Sequence, residues 1–224
     1  MAALQRGEEA AAMRYILESH SRRSLRGKPE GAVARREDYT VTPCEHRVAR
    51  ALVEQYHYTG SASNTSVAAH CLVRKADGKI VGSALRMPPT ARAAQGLARE
   101  HLGSADRHRE VLALSRLVIA PGEPQNAAGM LLGGSEKILR GLPRWALLVT
   151  YADTAEGHKG TIYKATNWVA AGLTEPRPRW REPSSGRLIA QKAFVNRTNA
   201  KMVEAGYIRE PDSAKLRFIK RIKP

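Results

Sequence analysis

The chain has 224 residues, with 37 Lys or Arg against 21 Asp or Glu, and so carries a formal net charge of +16 at pH 7. Its 42% hydrophobic content is enough for one core and excludes disorder as a description of the whole. Its longest apolar runs, such as residues 145–149, fall far short of the roughly 20 residues a membrane-crossing helix needs. The first 38 residues read as an extension, partly disordered or helical, with a short helix at 10–19 before a polar, Arg-rich stretch at 21–30. The folded part is expected over 39–224. Cys44 and Cys71 show no CxxC spacing and read as reduced thiols of a cytosolic protein.

From residue 39 the hydrophobic pattern is regular. Residues 39–43 read as a strand, and 45–56 as a helix presenting Val48, Ala51, Leu52 and Gln55 on one face. After a Ser/Gly/Asn-rich loop at 59–65, strands 66–74 and 79–86 are joined by Ala76-Asp77-Gly78, whose Asp-Gly pair is a hairpin signal. A helix at 91–102, a strand at 112–120 stopped by Pro121, a helix at 126–140 and a buried strand at 145–151 follow. A helix at 160–172, ended by Gly172, comes next, then two β-rich pieces around a helical turn at 198–205. The order predicts an α/β (α+β) fold with one mostly antiparallel central sheet and helices on both faces. It resembles the GNAT N-acetyltransferase superfamily, in which a splayed pair of central strands holds an acyl donor.

Charge is uneven along the chain. Residues 172–224 hold thirteen basic and five acidic side chains, half of the net excess. Two stretches there are dense: Arg177, Arg179, Trp180 and Arg181 with Arg187, and Lys215, Arg217, Lys220, Arg221 and Lys223. Basic side chains that meet phosphates release condensed counterions, and an indole between arginines can stack on an unpaired base. Nucleic acid is therefore the expected partner, against the alternative of a merely solvated basic face.

Acetyltransferases of the GNAT type grip pyrophosphate with a glycine-rich loop at a helix N-terminus. The corresponding segment here is Gln125-Asn126-Ala127-Ala128-Gly129-Met130, with one misplaced glycine, and Glu123 adds a carboxylate just before it. The standard acetyl-CoA grip is not expected.

The most informative stretch runs from Tyr151 through Asp153, Gly157, His158, Gly160, Tyr163 and Asn167 to Trp168. It sets an acid at the end of a buried strand, then a polar loop, then a helix. With Tyr56-His57-Tyr58-Thr59-Gly60, Leu114-Ser115-Arg116-Leu117-Val118 and Lys215-Leu216-Arg217-Phe218, it resembles the Mom family of bacteriophage DNA-modification proteins over roughly residues 40–222. The resemblance implies a GNAT-like enzyme that converts adenine in phage DNA to a carbamoylmethyl derivative on the exocyclic amine, protecting that DNA from host restriction. It implies activity at His57, Tyr58, Arg116, Ser135 and Asp153, and iron as a metal that His57, Tyr58 and Asp153 would hold through mixed N/O ligands.

On general chemistry, Asp153, with His57 as the alternative, would take a proton from the weakly nucleophilic amine. Tyr163 would protonate the leaving group, and Arg116 and Tyr58 would stabilise charge on the carbonyl oxygen. Each residue also has a plain structural role open to it: His57 at a helix end, Tyr58 in the core, Arg116 in an ion pair, Ser135 merely ending its helix, His158 in a turn. Expected partners are double-stranded DNA as substrate and, as acyl donor, glycyl-tRNA or acetyl-CoA, with a homodimer left open and no membrane. The expected setting is the cytoplasm of the host bacterium during infection. Two other functions stay open: an acetyl-CoA-dependent N-acetyltransferase acting on a protein or small amine, and a non-catalytic DNA-binding module.

Overall fold

The computed structural model describes residues 33–184, 186, 188–189 and 198–223. The strands are β1 (Tyr39–Pro43), β2 (Ala68–Arg74), β3 (Ile80–Met87), β4 (Val111–Ile119), β5 (Leu147–Asp153), β6 (Val169–Leu173), β7 (Arg177–Arg181), β8 (Leu188–Ile189), β9 (Ile208–Ser213) and β10 (Lys215–Arg221). Seven of them form one sheet in the order β1-β2-β3-β4-β5-β10-β6, and β8-β7-β9 form a small second sheet. The helices are α1 (His46–Tyr56), α2 (Ala91–Leu102), α3 (Ala127–Gly141), α4 (Thr161–Ala165) and α5 (Asn199–Glu204).

Periodicity decides which helix covers which face. α1 buries Ala49, Leu52 and Val53, spaced i, i+3, i+4, against Ala69, Leu85 and Val118 of the sheet. That stripe is rotated by about one residue from the expected face and shares only Leu52 with its centre, while Val48 packs at the margin. α2 buries Ala94, Leu97, Ala98 and Leu102 on the same side, against Val111, Ala113, Leu147 and Val149, and stops at Gly103 in the left-handed region (φ 84°). α3 lies on the opposite side, where Leu131, Leu132 and Leu139 meet Leu72, Leu112, Leu114 and Leu148. Helices thus cover both faces of a mostly antiparallel sheet, the GNAT-like arrangement read from the sequence.

Every pairing in the large sheet is antiparallel except that of β4 with β5, which is parallel and confined to Val111–Ala113 against Leu147–Val149. Beyond that level β4 stays with β3 as far as Ile119, and β5 stays with β10 as far as Asp153. The two central strands part there, and the sheet opens as a wedge.

Two expectations are corrected. The helix predicted over 160–172 is a short helix followed by a strand: α4 ends at Ala165, Asn167 takes a left-handed conformation (φ 61°), and β6 begins at Val169. Asn tolerates that conformation, and the β-branched Val169 suits the strand after it. Cys44 and Cys71 are joined in a disulfide, with Cα atoms 5.8 Å apart, and are not free thiols. The register of β1 on β2 brings the two together, since the Cys44 amide bonds Ala69 O just beyond the paired Thr42 and Cys71. The helix expected at 10–19 lies outside the described residues. Among the described residues no helix is long and apolar enough to cross a membrane.

Gly160 opens α4 at φ 68°, and a Cβ there would collide with the Phe218 ring; Gly157, at φ 74°, has open space around it. Gly160→Ala is therefore expected to cost about 2–5 kcal/mol, strain plus overpacking, and Gly157→Ala only about 1–2 kcal/mol of strain. Urea denaturation midpoints of the two variants check the difference.

Candidate active site

One extra residue in β4 sets up the site. The ladder with β3 pairs Leu85 with Arg116 but Arg86 with Leu114, so Ser115 has no partner, and its hydroxyl bonds Leu85 O at 2.9 Å. A bulge reverses the alternation of side chains between faces. Before it, Leu112 and Leu114 point to the α3 side; after it, Val118 packs with α1, and Leu117 and Ile119 return to the α3 side. Arg116 therefore points to the α1 side. Its Nε donates to Ser61 O at 2.8 Å and its Nη1 to Ser115 O at 2.7 Å.

Around Arg116, at the open end of the wedge, stand His57, Tyr58, Asp153 and His158. The His57 and Tyr58 rings stack with centroids 4.4 Å apart, and His158 meets Tyr58 edge-on at 5.3 Å. His57 Nδ1 lies 2.9 Å from Thr59 Oγ1. Burial first, then the basic groups of Arg116, His158 and Lys215, push its pKa down to about 4, so the ring is neutral at pH 7. Burial, reinforced by the Asp153 carboxylate, pushes the Tyr58 phenol up to about 12, so it keeps its proton and acts as a donor. Asp153 is buried, its Oδ2 is 2.9 Å from Lys215 Nζ across the β5–β10 pair, and its Oδ1 is buried with no hydrogen-bond partner among the described residues.

Ser135 and Tyr163 stand elsewhere, on the α3 and α4 side. Ser135 is fully buried in the middle of α3, and its Oγ contacts Arg86 Nε at 3.1 Å and His70 Nδ1 at 2.9 Å. Beside it the Glu136 carboxylate takes Trp168 Nε1 at 2.7 Å and Lys220 Nζ at 2.6 Å. Tyr163 packs on Phe218 and Trp168, and its hydroxyl lies near the Thr150 side chain. Burial raises its pKa, so it too holds its proton. Of the six residues read as catalytic, four converge at the mouth, Ser135 lies behind the sheet, and Tyr163 lies on the α4 side, near enough for its charge to act on Tyr58. Sequence reading missed Arg86, His70 and Glu136, and read Lys215 as part of a basic stretch and a motif without its pairing to Asp153. An arginine at the inward position two after the core residue Ala84 was the one signal available for Arg86.

The expected nucleic-acid stretch is corrected. Trp180 is fully buried and cannot stack on a base. Arg179 pairs with Glu156 and Glu210, and Arg181 with Glu210, in the β7–β9 sheet. Arg177 is exposed, and Arg187 lies outside the described residues. In the second stretch, Lys215 is held by Asp153, Lys220 by Glu136, and Arg217 by Ala171 O, so much of that charge is spent inside the fold. Lys159, between His158 and Gly160, and Lys164, on α4, are exposed cations.

At the start of α3, Asn126 does not cap the helix with its side chain; it accepts from Ala34 N at 2.7 Å and donates to Ala34 O at 2.9 Å. Chain from the N-terminal side thus lies against the helix end where a GNAT enzyme holds pyrophosphate. Glu123 turns away from that end, taking Tyr39 Oη and Arg74 Nη1, each at 2.8 Å.

His57, Tyr58 and Asp153, the residues the resemblance names for iron, stand beside two cationic side chains. The Lys215 ammonium and the Arg116 guanidinium already supply positive charge there, and the phenol holds its proton. Among the described residues no three His, Cys, Asp or Glu side chains converge as a metal site.

His70 behaves as His57 does, burial and the Arg86 charge pushing it down to about 4. Both folded values lie below the ordinary one near 6.5, so the unfolded chain binds more protons between about pH 6.5 and pH 4. Stability is expected to be full above that window and to fall as the pH drops through it. Denaturation midpoints across the window should show the loss, and His57→Gln with His70→Gln should flatten the slope.

Comparison with solved structures finds similar overall arrangements at low identity. The ribosomal-protein-S18-alanine N-acetyltransferase from Escherichia coli is 11% identical with a TM-score of 0.47, over 83% of this chain and 95% of that one. The spermidine N-acetyltransferase from Vibrio cholerae is 9% identical at 0.47, over 83% and 95%. An agmatine N-acetyltransferase is 11% identical at 0.47, over 82% and 99%. Comparison with curated proteins gives no match. The profile of the Mom protein family matches residues 38–223, which takes in the whole sheet, the wedge and every side chain at its mouth. By that match the chain belongs to the Mom protein family.

Proposed function

We propose that the protein is a DNA-modifying transferase that converts adenine to its N6-carbamoylmethyl derivative and so shields DNA from restriction. The observation that carries the reading is the convergence of His57, Tyr58, Arg116 and Asp153 at the open end of the β4–β5 wedge, in a member of the Mom family. The exocyclic amine of adenine lies on its pairing edge, so the base must leave the stack to react. Tyr58, 41% exposed, offers it an aromatic face at the mouth.

Carbamoylmethyladenine is adenine plus glycine minus water. A glycyl ester fits this sum. The adenine amine attacks the ester carbonyl, a C–N bond forms, and the ester oxygen leaves with a proton. The glycyl amine then attacks the purine carbon, and the original nitrogen departs from that carbon as the carboxamide, with no atoms gained or lost. Asp153 Oδ1, buried and unpartnered, is placed to take the proton from the attacking amine. Tyr163, with its proton retained, supplies the one the leaving oxygen needs. Asn126 clipped to Ala34 at the start of α3 speaks against a pyrophosphate-bearing donor and favours an aminoacyl-tRNA. The net charge of +16 suits both polyanions.

Mass spectrometry of nucleosides from cells expressing the protein is expected to show the carbamoylmethyl increment on deoxyadenosine. Asp153→Ala should lower it by about 10²–10⁴, the range of a general base. Incubation of protein and DNA with glycyl-tRNA labelled in glycine should place label in adenine. Unmodified deoxyadenosine in the wild-type sample sinks the reading; label entering only from acetyl-CoA replaces the donor.

A further inference from the structure

Arg86 is fully buried in β3, and only its Nε has a partner; Nη1 and Nη2 are buried without one among the described residues. The neighbouring Glu136 attracts this charge but makes no hydrogen bond to it; its two oxygens take Trp168 Nε1 and Lys220 Nζ. Lys220 balances Glu136, His70 is neutral, and one positive charge is left over. Burial pushes Arg86 down to about 10, which still leaves it a cation at pH 7. A buried guanidinium with two Nη groups left without hydrogen bonds costs stability, so its retention calls for something that meets them.

Its place in the fold says what. Arg86 pairs with Leu114, one residue past the last parallel pair, Ala113 with Val149. At that level Thr150 Oγ1 approaches Leu114 O, and the Tyr163 hydroxyl lies near Thr150. This is the floor of the wedge. The guanidinium plane is fixed by a side-chain relay: Arg86 Nε–H donates to Ser135 Oγ, which is itself hydrogen-bonded to His70 Nδ1 at 2.9 Å. The two Nη groups are left as a fork of the kind that suits paired or anionic oxygens.

We propose that Arg86 is the oxyanion-binding residue of the transfer, its Nη fork receiving the carbonyl oxygen of an acyl-ester donor in the wedge, with Ser135 and His70 as the positioning residues that hold it. The inference rests on the acyl-transfer reading above. As the adenine nitrogen bonds the carbonyl carbon, the C=O π pair moves onto oxygen beside the fork; it returns as the C–O ester bond breaks, and the leaving oxygen takes a proton from Tyr163. Arg116 is less suited to this task, because its Nε and Nη1 already bond Ser61 O and Ser115 O.

The test uses the full chain and aminomethylphosphonate, a tetrahedral anion on the glycyl skeleton, with methylphosphonate as its acetyl counterpart. Aminomethylphosphonate at millimolar concentration is expected to raise the melting temperature of the wild type but not of Arg86→Met. Arg86→Met should itself melt no lower than the wild type, bind DNA as well, and modify adenine about 10²–10³-fold more slowly. Ser135→Ala should lower kcat about tenfold with KM for DNA unchanged, and should add nothing in the Arg86→Met background. The proposal is overturned if Arg86→Met turns over like the wild type or still binds the phosphonate. It is equally overturned, should Arg86→Met not fold, if Ser135→Ala leaves both kcat and phosphonate binding intact. Arg86-dependent binding of both phosphonates without glycyl label in adenine upholds the oxyanion site and rejects the glycyl donor.

Discussion

The separation of β4 from β5 is the constraint on which the site depends. Three residue pairs hold the two strands together, and beyond them each strand keeps only its outer neighbour. Backbone groups freed in this way inside a sheet are costly unless something pairs with them. The unpaired Ser115 at the same level compounds the effect by turning Arg116 toward α1 while Leu114 stays toward α3. One local irregularity thus divides the functional side chains into two groups: a polar mouth on one face and a buried polar floor behind the other.

The floor is unusual for a protein interior. Glu136, Lys220 and Trp168 form a closed, mutually satisfied set, with the carboxylate almost fully buried. Removing one member of such a set leaves the others as unpaired polar groups and costs far more than the set contributes as a whole. It joins α3 to β10 and to the segment after α4, so the helix that carries Ser135 is fixed against the strand that carries Lys215. Mouth and floor are therefore positioned by the same strand.

Much of the scaffold was legible from the sequence, because its signals are local. The Asp77-Gly78 turn fixes the β2–β3 hairpin, and the i, i+3, i+4 pattern fixes the helices to within a residue. The failures come from distance. Nothing near Arg179 or Arg181 in sequence announces Glu210, and Lys220 meets a carboxylate 84 residues away, so a run of basic side chains read as a surface when it is largely a framework. The helix expected at 160–172 fails at Asn167, whose left-handed backbone has no strong sequence mark. At the site, His57, Tyr58, Arg116 and Asp153 were legible as motif residues. Arg86 was not, because its meaning lies in what its neighbours leave unpaired.

β10 lies between β5 and β6, although its pairing with β5 joins Asp153 to Lys215 about 60 residues further along the chain. Closing so long a loop is slow compared with forming the β2–β3 hairpin, and until it happens β5 presents a bare apolar edge. The strand that completes the surroundings of Asp153 is thus also the one that protects the nascent sheet from pairing with other chains. Completion of the polar mouth and escape from aggregation arrive in the same folding event, and an intermediate without β10 has neither.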